Sequence, residues 1–141
     1  MTKLRGVVRR GRGEGSRFTQ LDWVREQFRD KLGFEPYPGT LNVQVDDRAA
    51  RAAAQSPPGI LIEPATAEHC AAKCLRVRIN GRVDATWIMP DVPNYPDDLV
   101  ELMAPVALRE ELGLEEGDAV SIEISEQVEN INREDAKTPR F

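Results

Sequence analysis

Hydrophobic and polar positions alternate in twos over much of this chain, and recur in threes and fours over only two convincing stretches. LRGVVR at 4–9 reads as a short strand that ends where a glycine-rich stretch begins. Leu21, Val24, Phe28 and Leu32 lie three and four apart with charges between them, which predicts an amphipathic helix over 21–32 with Thr19 as N-cap and Gly33 as its stop. TLNVQV alternates as a half-buried strand, DRAARAAA at 47–54 is a weak helical patch, and GILIE is a further strand. KCLRVRI and RVDATWIM flank Asn80-Gly81, a type I′ hairpin signal. PDVPNYPDD must be loop, LVELM at 99–103 is a strand, and VALREEL predicts a helix with Pro105 in its first turn and Gly113 at its end. AVSIEIS is the last strand.

Six or seven short strands not regularly interleaved with helices exclude a doubly wound sheet. The expectation is a mainly β chain folded as a small closed or nearly closed barrel capped by helices. Its 141 residues suit one domain, over 1–125, followed by a polar tail over 126–141 that lacks a periodic apolar face.

Charge and cysteine content narrow the chemistry. The net charge is −5, yet residues 1–17 hold six basic side chains and one acid, so that edge is +5 and the remainder −10. An acidic body with one basic edge fits a local anion site, and nucleic acid is not an expected partner. Cys70 and Cys74 beside the lone His69 offer three soft ligands at most, one short of a tetrahedral zinc site, so two reduced cysteines are expected. No apolar run could span a bilayer, and MTKLRGVVRR has no signal-peptide core, so a cytoplasmic chain without membrane contact is expected.

Two stretches carry candidate chemistry. GRGEGSRF at 11–18 is neither a dinucleotide fingerprint, because no helix opens at once, nor a P-loop, because no Gly-Lys-Ser/Thr follows. Its glycines could let backbone N–H groups approach a phosphate with Arg12 and Arg17 adding charge, although a plain turn explains them equally well. In PGTLNV at 38–43, Thr40 and Asn42 stand two apart on a strand and can present two hard oxygens on one face, the alternative being a pair bonded across a turn.

Taken together with ELMAPVALREELGLEEGD and the INGRVDATWIMP hairpin, GRGEGSRF and LGFEPYPGTLNV closely resemble the archaeal-type CTP-dependent riboflavin kinases, over residues 6 to about 124. The resemblance implies a six-stranded cradle-loop barrel with two or three short helices. It implies transfer of the terminal phosphate of CTP to the ribityl hydroxyl of riboflavin, giving FMN and CDP, with Mg²⁺ as cofactor; a monomer is expected. By resemblance, Arg12, Gly13, Glu14, Gly15, Ser16 and Arg17 fall on a nucleotide-binding loop, and Val106, Ala107, Leu108 and Arg109 on a second nucleotide-contacting stretch. Thr40 and Asn42 fall on the metal ligands. Glu101 falls on a flavin-contacting position and is the candidate general base.

The acceptor side departs from the family pattern. A threonine expected to contact flavin aligns with Pro93, which has neither hydroxyl nor N–H; Asn94, Tyr95, Asp97 or Asp98 could replace the lost contact, and Tyr95 or Trp87 could stack on a flavin ring unless they are simply loop and core anchors. This departure keeps open a non-catalytic nucleotide- or flavin-binding module, or a kinase for another alcohol.

Overall fold

The computed structural model describes residues 2–11, 14–55, 57–66 and 69–125, with the side chains of 14–16 outside the description. The predicted tail over 126–141 also lies outside the described residues, as do Arg12 and Gly13.

The chain forms β1 (Thr2–Arg9), α1 (Glu14–Thr19), α2 (Asp22–Gln27), β2 (Leu41–Val45), α3 (Asp47–Gln55), β3 (Ile60–Ile62), β4 (Ala72–Ile79), β5 (Val83–Pro90), β6 (Leu99–Met103), α4 (Leu108–Leu112) and β7 (Ala119–Ile124). Every pairing is antiparallel. The order β4-β5-β6-β2-β1-β7 closes on itself because β7 returns to β4 through Val77↔Ile124 and Ile79↔Ile122. The expected six-stranded barrel is therefore present. The seventh strand, β3, lies outside the ring, paired to the first residues of β4 through Ile60↔Cys74 and Ile62↔Ala72.

Alternation explains the closure. On β2, Leu41, Val43 and Val45 are buried while Asn42 is half-buried and Gln44 exposed. The inward set joins Val8, Leu75, Trp87, Val100 and Ile122 in the barrel interior. Trp87, at 3% exposure, is thus a core residue and no stacking platform. Ala50 and Ala53 of α3 and Leu108 and Leu112 of α4 pack against the same interior, which is the bland role expected of DRAARAAA.

A second apolar cluster lies on the outer face, where Val24, Phe28 and Leu32 cover Ile62, Cys74, Ile88 and Met103. Burying a side chain such as Phe28 contributes on the order of 2–3 kcal/mol. That outer cluster is what holds the helical segment against the barrel.

Four local expectations need correction. The helix over 21–32 is α2 followed by a π-turn at Phe28–Leu32, whose Gly33 N–H donates to the Phe28 carbonyl at 2.8 Å. A single widened turn leaves the three- and four-residue spacing of the apolar positions unbroken in the sequence, so periodicity alone misses it. Thr19 is not its N-cap, a place taken by Leu21 without a side-chain bond. Instead Thr19 ends α1, which opens inside the glycine-rich stretch, at Glu14, where no immediate helix was expected. Pro105 precedes the last helix, which begins only at Leu108. With α1 included, the described residues hold four short α-helices, one more than the upper expectation.

Other turns form as read. Asn80 and Gly81 take φ of 52° and 65°, the left-handed pair that a type I′ hairpin requires. No helix among the described residues is long and apolar enough to cross a membrane.

Candidate active site

Strand register places one row of residues across the outer face of the barrel. Arg9 pairs with Asn42, Asn42 with Glu101, Glu101 with Ile88, and Ile88 with Cys74. The row changes character along its length. Ile88 and Cys74 disappear under α2 and the π-turn, whereas Asn42 and Glu101 remain half-buried at the edge of that cover. A carboxylate beside an apolar shelf and an open face is therefore a consequence of register.

Thr40, immediately before β2, donates its hydroxyl to Glu101 Oε1 at 3.0 Å. Glu101 Oε2 accepts a hydrogen bond from the Tyr95 hydroxyl. One carboxylate thus joins the β2 entrance to the proline-rich loop at 91–98. That loop is held at its ends by Asp91 N–H donating to the Ala71 carbonyl at 2.8 Å and by Val45 N–H donating to the Asp98 carbonyl at 2.9 Å.

The glycine-rich stretch reaches the same place from β1. Gly11 lies so close to Asn42 that a Cβ built there would collide with the Asn42 amide nitrogen. Only a residue without a side chain leaves the amide where it is. On the other side of the stretch, Gly39 N–H donates to Thr19 Oγ1 at 3.0 Å, tying α1 to the Gly39-Thr40 corner. No motif assigns Thr19 a functional place, and its role follows from a contact twenty residues away.

A groove of about 210 Å³ runs from this corner along the start of α4. Tyr37 and Thr40 lie on one bank, and Val106, Ala107 and Arg109 on the other. The banks are joined by Tyr37 N–H donating to the Ala104 carbonyl at 2.8 Å. Tyr37 and Val106 are 47% and 36% exposed, leaving apolar surface available to a flat ring. Sequence reasoning passed over Tyr37, whose signal was a large aromatic between two prolines.

Arg109 donates from Nη2 to the Arg9 carbonyl at 3.2 Å, which turns its guanidinium toward the end of β1. Among the described residues it forms no ion pair with the neighbouring Glu110 or Glu111. Arg17 is exposed near the end of α1, and Pro93 is exposed two residues before Tyr95. Of the predicted residues, Thr40, Asn42, Glu101 and Tyr95 form one constellation, and Val106 to Arg109 meet it through the groove. Glu14, Gly15 and Ser16 contribute the first turn of α1.

The donor set suits a hard divalent cation. Thr40 hydroxyl and Asn42 amide are neutral oxygen donors at one end of the row, where oxygen-loving ions that keep water and phosphate ligands are accommodated, with the Glu101 carboxylate beside them. Among the described residues no three His, Cys, Asp or Glu side chains gather as a metal cluster. His69 instead stands against Trp23 with ring centroids 5.3 Å apart, and burial pushes the Cys74 thiol up to about 12.

Comparison with known proteins adds the following. A family model named for CTP-dependent riboflavin kinase, and described as a domain of unknown function, DUF120, matches residues 8–124. A riboflavin kinase from Methanocella arvoryzae is 46% identical over 121 residues, covering 84% of this chain and 55% of that protein. A riboflavin kinase from Archaeoglobus fulgidus is 39% identical over 127 residues, covering 86% and 54%. A riboflavin kinase from Pyrobaculum aerophilum is 38% identical over 127 residues, covering 86% and 60%. This chain therefore spans little more than half the length of these relatives.

Proposed function

Because the chain belongs to the CTP-dependent riboflavin kinase family, we propose that it transfers the terminal phosphate of CTP to the ribityl hydroxyl of riboflavin, giving FMN and CDP, with Mg²⁺ as its metal. The observation that carries this reading is the convergence of the Thr40–Glu101 pair and Asn42 with the groove formed at Val106 to Arg109.

The geometry supports a division of labour. The nucleotide lies along the groove, its base against Tyr37 and Val106 and its phosphates toward Arg109 and the glycine-rich stretch. Backbone groups of Val106 to Leu108 read the base edge, and the guanidinium of Arg109 pairs with phosphate oxygens. By the family resemblance, Arg12, Gly13, Glu14, Gly15, Ser16 and Arg17 are assigned to binding the phosphates.

Thr40 and Asn42 would hold the metal ion, and the chemistry supplied there would be to offset negative charge on the phosphate oxygens, which in phosphoryl transfer counts for more than covalent chemistry by the protein. Glu101 accepts the proton of the ribityl hydroxyl as its oxygen attacks the terminal phosphorus, and the bond to the departing CDP oxygen breaks.

The reading is tested by FMN formation from riboflavin, CTP and Mg²⁺ in the native protein and in Glu101→Gln. General-base assistance is worth roughly 10²- to 10⁴-fold, so a loss of turnover in that range, with the nucleotide still bound, is the expected result. Unchanged turnover in the variant removes Glu101 from the base role.

A further inference from the structure

The two donors on Glu101 come from opposite sides of the site, and this arrangement has a use beyond fixing a rotamer. Thr40, on one side, stands at the metal position, and its hydroxyl can offer a lone pair to a cation while its proton stays directed at Glu101 Oε1. Tyr95, on the other side, belongs to the loop that replaces the family's threonine, and it donates to Oε2. Pro93 has a ring-restricted φ, and Asn94 adopts a left-handed φ of 62°, a conformation that asparagine tolerates better than most residues. That turn is what brings Tyr95 back over the barrel face.

We propose that Tyr95 is a positioning residue that couples the acceptor loop to the metal corner through Glu101, so that the metal-nucleotide complex and the alcohol acceptor strengthen each other's binding. This inference rests on the kinase reading above. Without the phenol, Glu101 answers to Thr40 alone, and the 91–98 loop loses its link to the carboxylate. With it, a change in how Thr40 directs its proton is transmitted to the loop that faces the acceptor. Coupling between two ligands is reciprocal, and factors from about 5 upward are typical where it exists.

The test measures riboflavin affinity by quenching of flavin fluorescence, alone and in the presence of saturating CDP and Mg²⁺, so that no turnover intervenes. In the native protein the affinity is expected to rise about fivefold or more with CDP and Mg²⁺. In Tyr95→Phe the enhancement is expected to fall to within about twofold of unity, while Thr40→Ser, which keeps the hydroxyl, retains it. If Tyr95 serves only to shape the loop, Tyr95→Phe weakens riboflavin equally in both conditions and the enhancement survives. That result, or a native enhancement near unity, overturns the coupling and leaves the kinase reading standing. Failure of the native protein to bind riboflavin in either condition overturns the kinase reading, and the coupling with it.

Discussion

A single missing Cβ separates structural from functional glycines in β1 and the stretch after it. A methyl group at Gly6 would run into the Gln44 carbonyl of the neighbouring strand and come within 2.7 Å of Val43 Cγ1. Backbone cannot retreat cheaply, so Gly6→Ala is expected to lower unfolding free energy by about 1–3 kcal/mol, read from denaturant midpoints. A methyl group at Gly11 meets only the Asn42 amide, which can swing away. Gly11→Ala is therefore expected to leave stability nearly intact while weakening Mg²⁺-dependent CDP binding, measured by calorimetry. Equal stability losses in both variants would contradict this contrast. Cys74 gives a third residue-scale prediction. Desolvation holds its thiol at about 12 against an ordinary value of 9.0, so the folded state keeps a proton that the unfolded chain sheds. That contribution to stability is full below pH 9 and is lost as pH rises toward 12. At pH 8, half-buried Cys70 should react with a thiol reagent in the native protein and Cys74 only on unfolding.

At the scale of elements, the site is a product of register. Period-two alternation in TLNVQV was enough to say which residues share a face, and so to place Thr40 with Asn42, whereas Glu101 was singled out by the family resemblance alone. It could not say that Asn42 and Glu101 stand opposite one another, because that pairing joins strands 59 positions apart in the chain. Nor could it show that the row continues into Ile88 and Cys74 and so gives the carboxylate an apolar neighbour. The hairpin at Asn80-Gly81 was legible because its turn chemistry is local. The π-turn after α2, the late start of α4 and the contact between Thr19 and Gly39 were not, since each is set by packing against distant parts of the barrel. Gly113 marks the other limit. It closes α4 at φ 64°, and Gly113→Ala should cost about 1 kcal/mol, seen as a small fall in thermal midpoint without loss of nucleotide binding.

For the whole molecule, closure of the barrel does two jobs: it buries the interior of six strands, and it leaves an outer face on which β1, β2 and β6 present polar residues side by side. Helices are then needed at only two kinds of place, over the apolar half of that face and at the barrel's ends. The acidic body with a basic edge fits the same plan, since Arg9 and Arg109 meet where β1 leaves the barrel. The fold class was legible from strand count and the lack of regular helical interleaving, whereas on the acceptor side only the folded loop displays the contact of Tyr95 with Glu101. That acceptor side is also where the account is most exposed to refutation. The decisive measurement incubates the protein with riboflavin, Mg²⁺ and either CTP or ATP, and separates the flavin and nucleotide products by chromatography. FMN and CDP in equal amounts from the CTP reaction, with far less product from ATP, is the result predicted. No FMN under conditions in which the protein binds CTP would contradict the assignment of riboflavin as acceptor.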